Sequence, residues 1–159
     1  MKRAVCPGSF DPITFGHLDI IERASGQFDE VVVAVLENRT KASLFTVEER
    51  MDMIRKTTSK FPNVKVDSWH GLLVDFCKEN SIQAIVKGLR AVTDFDYELQ
   101  MAQVNLQGSG VETMFMATAP THSFLSSSIV KELAHFGGDV SSMVPSVVND
   151  ALKARVAGK

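Results

Sequence analysis

The sequence predicts an α/β fold: a single domain built on a doubly wound, parallel, five-stranded sheet. Short apolar runs alternate with amphipathic stretches of helical period along the chain, and this alternation is typical of repeated strand–helix units. The run from Glu30 to Leu36 is apolar after its first residue and rich in β-branched side chains. A strand covered on both faces has this composition, which favours a parallel sheet. No repeat, linker or low-complexity segment interrupts the pattern, so residues 1–159 are predicted to form one domain.

The predicted strands lie at residues 4–6, 30–36, 64–67, 84–86 and 111–117. Helices are predicted to begin near residue 16, at residues 71, 94 and 126, and at Pro145 as a first helical residue. A capping box at residues 46–49 is predicted to start a further helix between the second and third strands. Right-handed crossovers leave Rossmann-like and flavodoxin-like strand orders. In either order, ligands bind outside the carboxyl ends of the strands, where the winding reverses.

Composition excludes several classes of partner. The net charge is −2 and 23% of residues are charged, so no basic field favours nucleic acid or a membrane surface. Cys6 and Cys77 lie far apart and match no metal or redox spacing, which predicts reduced core thiols. The chain enters a strand directly, and no apolar run reaches the length of a membrane span, so we expect a cytoplasmic protein.

The loop from Gly8 to His17 is predicted to bind a phosphate group. It joins the first strand to a helix that begins near Gly16, and the backbone N–H groups and dipole of a helix start favour anions. Gly16 allows close approach to the backbone, and His17 offers an imidazole donor. A Gly-His pair at a helix start can also be only a turn with a capping contact. Pro12 and two glycines in one short loop favour the binding interpretation, although the loop has neither Walker nor dinucleotide-binding spacing.

Loops after four of the strands are expected to meet at one edge of the sheet. They are residues Ser9–His17, the loop of Lys41, Lys87–Arg90 and His122–Ser128. Exposed loop lysines and strand-end cations are often merely solvated, but this shared edge favours a site. Groups that can carry positive charge, around a phosphate loop, suit phosphoryl or nucleotidyl transfer, where positioning and charge neutralisation dominate. Carboxylates do not cluster into a metal cage, so Mg²⁺, the expected cofactor, would be held mainly by substrate phosphates.

Five segments resemble bacterial-type phosphopantetheine adenylyltransferases. They are Gly8-Ser9-Phe10-Asp11-Pro12 with Thr14-Phe15-Gly16-His17, then Phe45-Thr46-Val47-Glu48-Glu49-Arg50, Lys87-Gly88-Leu89-Arg90, Asp94-Phe95-Asp96-Tyr97-Glu98 and Ser126-Ser127-Ser128. The first motif alone resembles the whole nucleotidyltransferase superfamily, which includes class I aminoacyl-tRNA synthetases; together the five are specific. The resemblance covers nearly the whole chain and implies a Rossmann-like nucleotidyltransferase fold.

The resemblance implies transfer of the adenylyl group of ATP to 4′-phosphopantetheine, giving dephospho-coenzyme A and pyrophosphate in coenzyme A biosynthesis. The acceptor phosphate would attack the α-phosphorus in line, with His17 as the catalytic residue that stabilises the pentacovalent transition state. The implied ATP site comprises Ser9, Phe10, His17, Gly88, Leu89, Arg90, Glu98, His122, Ser123, Phe124, Leu125, Ser126, Ser127 and Ser128. The implied acceptor site comprises Ser9, Lys41, Leu73 and Lys87.

Two positions depart from the family pattern. Many members carry arginine where this chain has Lys87, so a bidentate fork is replaced by a point charge. His122 stands where a larger aromatic side chain is expected beside the adenine. The first change puts the phosphate geometry in doubt, and the second puts the stacking in doubt.

Other functions remain open at this point. Another small nucleotidyltransferase, such as a nicotinamide-mononucleotide adenylyltransferase or a cytidylyltransferase, would share the first motif but not the segments at 88–91 and 94–98. A non-catalytic nucleotide sensor would bind ATP without releasing pyrophosphate. A synthetase fragment fits less well, because the chain lacks a lysine-rich second signature loop.

The predicted helix from Asp94 to Gln107 carries two apolar stripes. The first, which should pack on the sheet, comprises Phe95, Leu99, Ala102 and Leu106; the second, on the opposite side, comprises Tyr97, Met101 and Val104. Scattered apolar residues are tolerated on surfaces, but a contiguous exposed stripe is typical of an interface. The second stripe therefore predicts a homo-oligomer, and the resemblance implies a hexamer of paired trimers.

Overall fold

Five parallel strands form one sheet in the computed structural model, which describes residues 1–157. The strands are β1 (Arg3–Gly8), β2 (Glu30–Leu36), β3 (Val64–Trp69), β4 (Ala84–Leu89) and β5 (Glu112–Ala117). Their order is β3-β2-β1-β4-β5, so the winding reverses between β1 and β4. This is the Rossmann-like order, and the parallel sheet predicted from composition is confirmed.

The helices follow the predicted alternation. They are α1 (Phe15–Ser25), α2 (Val47–Thr58), α3 (Leu73–Glu79), α4 (Val92–Ser109), α5 (Ser127–His135) and α6 (Ser146–Ala157), with a 3₁₀ turn at Pro120–His122 inside a predicted loop. Pro145 precedes α6 instead of being its first residue, and its carbonyl accepts the N–H groups of residues 148 and 149. Among the residues described, no helix combines the length and apolarity that crossing a membrane demands.

Both faces of the sheet are covered. Successive side chains of a strand point to opposite faces, so Val31, Val33 and Val35 join one buried cluster while Val32 and Ala34 join the other. Cys6 and Cys77 are free buried thiols, one in each cluster, as predicted. Burial raises the pKa of Cys6 to about 12 and that of Cys77 to about 11, so both stay protonated.

Helix α4 is far less buried than the sequence predicts. The stripe expected to pack on the sheet is substantially exposed in the single chain, since Phe95 is 38%, Leu99 37% and Leu106 42% accessible. Only Asn105 of this helix is buried. The physical reason is position, because α4 packs on β5, where the sheet ends, and on the short α3. The predicted outer stripe, Tyr97, Met101 and Val104, is also exposed, so α4 presents apolar surface on two sides.

Candidate active site

A cleft of about 270 Å³ opens at the carboxyl ends of β1 and β4, where the winding reverses. Its walls come from β1 and the following loop, the start of α1, the end of β4, one residue of α4 and the segment that leads into α5. Ten residues of the predicted site line it: Phe10, His17, Lys87, Gly88, Arg90, Glu98, His122, Leu125, Ser126 and Ser127. The loops after β1, β4 and β5 therefore meet here as expected, whereas the loop of Lys41 does not line the cleft.

Seven predicted residues do not line the cleft. Ser9, Leu89, Ser123, Phe124 and Ser128 lie within two residues of the lining along the chain. Lys41 is exposed on the loop between β2 and α2. Leu73 begins α3 and packs, partly buried, against the core cluster that contains Val32. The sheet order explains these two positions. The loop of Lys41 follows β2, which β1 separates from β4, and Leu73 lies in α3, which connects β3 to β4 along the chain.

His17 is held by a reciprocal capping box at the start of α1. The Thr14 N–H donates to Nδ1 of His17 at 3.0 Å, and the His17 N–H donates to the Thr14 hydroxyl at 3.4 Å. Because a backbone N–H can only donate, Nδ1 acts as an acceptor, and the proton of the neutral ring sits on Nε2. The Phe10 ring meets the imidazole edge-on, with 5.0 Å between centroids. The capping box and this contact fix both the tautomer and the ring orientation.

The imidazole of His17 is neutral at physiological pH. Burial lowers its pKa to about 4, and the positive charge of Arg90 acts in the same direction. The sequence grouped His17 with residues that can carry positive charge, and burial corrects that assignment. His17 therefore offers a preorganised neutral donor to the cleft.

The start of α1 supplies fewer free backbone donors than a helix end usually does. The Phe15 N–H donates to the carbonyl of Met143 at 2.9 Å, and the His17 N–H is used by Thr14. Within the residues that the structure describes, the Gly16 N–H has no protein acceptor and is left for an anion. Gly16 packs against Thr14 and His122, where an added Cβ would lie 3.4 Å from the Thr14 hydroxyl.

Two cations face the cleft from the end of β4. Nζ of Lys87 lies 3.3 Å from a carboxylate oxygen of Glu98, and this ion pair is largely shielded from solvent. Arg90 donates from Nη1 to the carbonyl of Leu125 at 2.8 Å, and its Nε lies 3.6 Å from Asp94. Arg90 thus ties the end of β4 to the segment that enters α5 and brings its charge near His17.

The glycine between these cations has a packing reason. A Cβ on Gly88 would lie 2.9 Å from Cγ1 of Ile20 in α1, closer than real Cβ contacts come. Glycine lets β4 and α1 approach each other across the floor of the cleft.

The serines at the start of α5 already have protein partners. The Ser126 hydroxyl accepts the Ile129 N–H at 3.1 Å as the N-cap, and the Ser127 hydroxyl donates to the carbonyl of Pro12 at 2.8 Å. Backbone N–H groups of the first turn remain the natural phosphate donors here. His122 stacks on Phe15 with 6.3 Å between centroids, so its expected place beside adenine stays a prediction.

Sequence reasoning missed Thr118 as a lining residue. Its N–H and hydroxyl both donate to the carbonyl of Leu89, each at 2.9 Å, which fixes the end of β4 beside Lys87. The rule that identified Lys87 could have found Thr118, because it directly follows β5 at the same edge of the sheet. Phe10 was predicted, but its backbone was not: its φ of 47° is a left-handed conformation that a bulky residue rarely adopts.

Comparisons with known proteins agree with this geometry. A family model described as cytidylyltransferase-like matches residues 5–133. A phosphopantetheine adenylyltransferase from Streptomyces coelicolor is 64% identical over 159 residues, which is 100% of both chains. The chain belongs to the phosphopantetheine adenylyltransferase family. Further members from Frankia casuarinae, at 63% identity, and Frankia alni, at 64%, are covered over 99% and 98% of their length and of this chain.

Solved structures of lower identity share the fold. A Vibrio parahaemolyticus protein assigned as a nicotinate-nucleotide adenylyltransferase superposes with a TM-score of 0.66 at 16% identity, over 96% of this chain and 99% of its own. A lipopolysaccharide core biosynthesis protein from Thermoplasma volcanium superposes with a TM-score of 0.55 at 23% identity, over 75% of this chain and 98% of its own. Together with the family membership, these structures confirm the Rossmann-like nucleotidyltransferase fold that the sequence predicts.

Proposed function

We propose that this phosphopantetheine adenylyltransferase family member transfers the adenylyl group of ATP to 4′-phosphopantetheine, giving dephospho-coenzyme A and pyrophosphate. The observation that carries the proposal is the neutral, preorganised donor His17, which faces the same cleft as Lys87 and Arg90. Identity of 64% to a full-length family member supports the choice of acceptor. A cytoplasmic location, as expected from the sequence, is part of the proposal.

The reaction is a direct in-line displacement. An oxygen of the acceptor phosphate forms a bond to the α-phosphorus of ATP while the bond to the pyrophosphate oxygen breaks, and the electron pair leaves with pyrophosphate. The attacking phosphate is already anionic, so no protein base is needed. Nε2–H of His17 donates to a non-bridging oxygen of the α-phosphate, where charge develops in the transition state.

The cations and helix starts position the two anionic substrates. Lys87 neutralises the acceptor phosphate when it exchanges its Glu98 partner for the incoming anion, with Lys41 approaching from the neighbouring loop. Arg90 and the first turn of α5 hold the β- and γ-phosphates. The proposal also keeps the substrate contacts that the sequence predicts for six residues outside the cleft lining: Ser9, Leu73, Leu89, Ser123, Phe124 and Ser128. Alignment and charge neutralisation supply the rate enhancement, and no covalent intermediate forms.

Mg²⁺ fits this site as a partner of the phosphates. No group of three or more metal-ligating side chains occurs within residues 1–157, and the carboxylates around the cleft already have cationic partners. When bound, Mg²⁺ would neutralise triphosphate charge. A protein metal cage is not part of the proposal.

The test is incubation with ATP, Mg²⁺ and 4′-phosphopantetheine, with dephospho-coenzyme A measured by mass spectrometry and pyrophosphate by a coupled assay. A panel of other phosphorylated acceptors with ATP or CTP distinguishes the related nucleotidyltransferases. Pyrophosphate release with nicotinamide mononucleotide instead, or with CTP instead of ATP, would overturn the substrate assignment. ATP binding without release for any acceptor would make the protein a nucleotide sensor.

We further propose that the protein is a homo-oligomer, and a hexamer as in its family. The support is α4, whose outer stripe includes Tyr97 at 64% and Val104 at 59% exposure, together with Met114 at 49% on the edge strand β5. Closed symmetry would let every copy bury the same surface. Light scattering should give a hexamer, and Met101→Glu with Val104→Lys should give smaller, less active species. A wild-type monomer at micromolar concentration would contradict this proposal.

A further inference from the structure

Asp11 is a buried carboxylate that joins three segments around the cleft without lining it. Its side chain accepts the backbone N–H groups of Leu44 and Phe45, each at 2.9 Å, and Nζ of Lys131 at 3.0 Å. The residue is only 5% exposed. Asp11 belongs to the loop before α1, Leu44 and Phe45 end the loop between β2 and α2, and Lys131 lies in α5.

Neighbouring hydrogen-bond donors stabilise the negative charge of Asp11. Burial alone would raise the pKa of its carboxyl group, but the two backbone N–H groups and Lys131 outweigh burial and hold the pKa below its usual value. The carboxylate is therefore ionised at neutral pH and acts only as an acceptor. All three donors lie more than 30 residues away along the chain, so the contact constrains tertiary structure and not a local turn.

Arg50 ties two of the same segments from the other side. It is 4% exposed, and it donates from Nη1 to the carbonyl of Ser9 at 2.7 Å and from Nε to the carbonyl of Phe45 at 3.2 Å. In the part of the chain that the structure describes, no carboxylate pairs with it. Burying a guanidinium that only carbonyl groups hydrogen-bond costs folding free energy. This cost indicates that holding these carbonyl groups in place has a role in the protein.

The three joined segments carry groups that the proposed reaction needs. The first leads directly into α1, which carries His17 in its first turn. The second carries Lys41 three residues before Leu44, and the third begins with Ser127, one turn before Lys131 on the same side of α5. The Ser127 hydroxyl donates to Pro12, next to Asp11, which reinforces the third connection. One carboxylate thus connects the segment that leads to His17, the Lys41 loop and helix α5.

We propose that Asp11 is a positioning residue that sets the Lys41 loop and the start of α5 relative to His17, with Arg50 as a second tie to the Lys41 loop. This inference rests on the proposed function, since it assigns a role within that reaction. A misplacement of about 1 Å in such groups can cost up to two powers of ten in rate, which makes the geometry measurable.

The kinetic test uses one variant for each connection. Lys131→Met removes the contact between Asp11 and α5, leaves the contacts to Leu44 and Phe45 in place, and should raise the KM for ATP about tenfold, with a smaller effect on the acceptor. Arg50→Lys weakens the tie between the Lys41 loop and the loop of Ser9 but leaves the link to α5 intact, and it should raise the KM for 4′-phosphopantetheine about tenfold, with a smaller effect on ATP. Asp11→Asn loosens both connections, so both KM values should rise and kcat should fall.

Glu30→Gln is the matched control. Glu30 pairs with Arg3 at 2.6 Å and both side chains are partly shielded from solvent, but the pair joins the amino ends of β1 and β2, at the edge of the sheet opposite the cleft. This variant should lower the melting temperature while both KM values stay within twofold of wild type. If Lys131→Met and Arg50→Lys behave like Glu30→Gln, the residues serve stability alone and the inference is wrong. That comparison decides the matter even if Asp11→Asn fails to fold.

A second measurement needs no turnover and separates the two proposals. Hydrogen exchange without substrates should show faster exchange of the Leu44 and Phe45 amides in Asp11→Asn than in wild type, Lys131→Met or Glu30→Gln, because only Asp11→Asn removes the carboxylate that both amides donate to. Unchanged exchange would overturn the proposed tie. A wild-type protein that makes no dephospho-coenzyme A would overturn the proposed function while leaving this exchange result intact.

Discussion

Replacing His17 with alanine should lower kcat by about two to three powers of ten while the fold is kept. The structure supports this magnitude because the ring is a single, fixed, neutral donor: Thr14 N–H sets its tautomer at 3.0 Å and Phe10 sets its orientation. Losing one such donor to a developing oxyanion costs about 3–4 kcal/mol. ATP affinity should change much less, because the donor acts mainly on transition-state charge.

The pH dependence makes this prediction sharper. With a pKa of about 4 in the free protein, His17 stays neutral throughout pH 6–8, so the ratio of wild-type to His17→Ala kcat/KM, which reports groups of the free enzyme, should be constant over that range. An imidazolium with an ordinary pKa would instead lose about tenfold per pH unit above its pKa. The assay is pyrophosphate release, at subsaturating substrate concentrations for the pH dependence of kcat/KM and at saturating concentrations for kcat itself. His135→Ala, an exposed histidine at the end of α5, is the control and should match wild type. A ratio that falls with pH, or a His17→Ala kcat near wild type, would refute the neutral-donor role.

Three further predictions follow from the same contacts. Lys41→Met and Lys87→Met should each raise the KM for 4′-phosphopantetheine about tenfold and more than that for ATP, and a larger effect on ATP would reverse the assignment. Gly88→Ala should lower the free energy of unfolding, measured with urea, by about 1–3 kcal/mol, because the new Cβ would lie 2.9 Å from Ile20. An unchanged urea midpoint would contradict this prediction and show that α1 shifts away at no cost in stability. As the pH falls from 6.5 to 4, the free energy of unfolding of wild type should decrease by roughly 3 kcal/mol more than that of His17→Gln. The reason is that His17 binds a proton at its ordinary pKa in the unfolded state but only near pH 4 in the folded state. Equal decreases in the two proteins would contradict the lowered pKa of His17.

The sequence by itself determined the features that depend on neighbours along the chain. Helix starts are one case, since the predicted capping box at Thr46 forms with Glu49, three residues on. Strand composition is another, because the Val31–Leu36 run identified a strand buried on both faces and hence a parallel sheet. From a parallel sheet, the meeting of Lys87 and His17 at one edge follows by geometry.

Tertiary structure decided what depends on distant residues. Rossmann-like and flavodoxin-like orders have the same local patterns, and only the pairing of β1 with β4 chose between them. The charge state of His17 depends on its burial and on Arg90, which lies 73 positions along the chain. The exposure of α4 follows from its place at the end of the sheet, which no helical periodicity encodes. Asp11 shows the reason most clearly: its sequence neighbours indicate a loop, whereas its role comes from donors 33, 34 and 120 residues away, brought together only by packing.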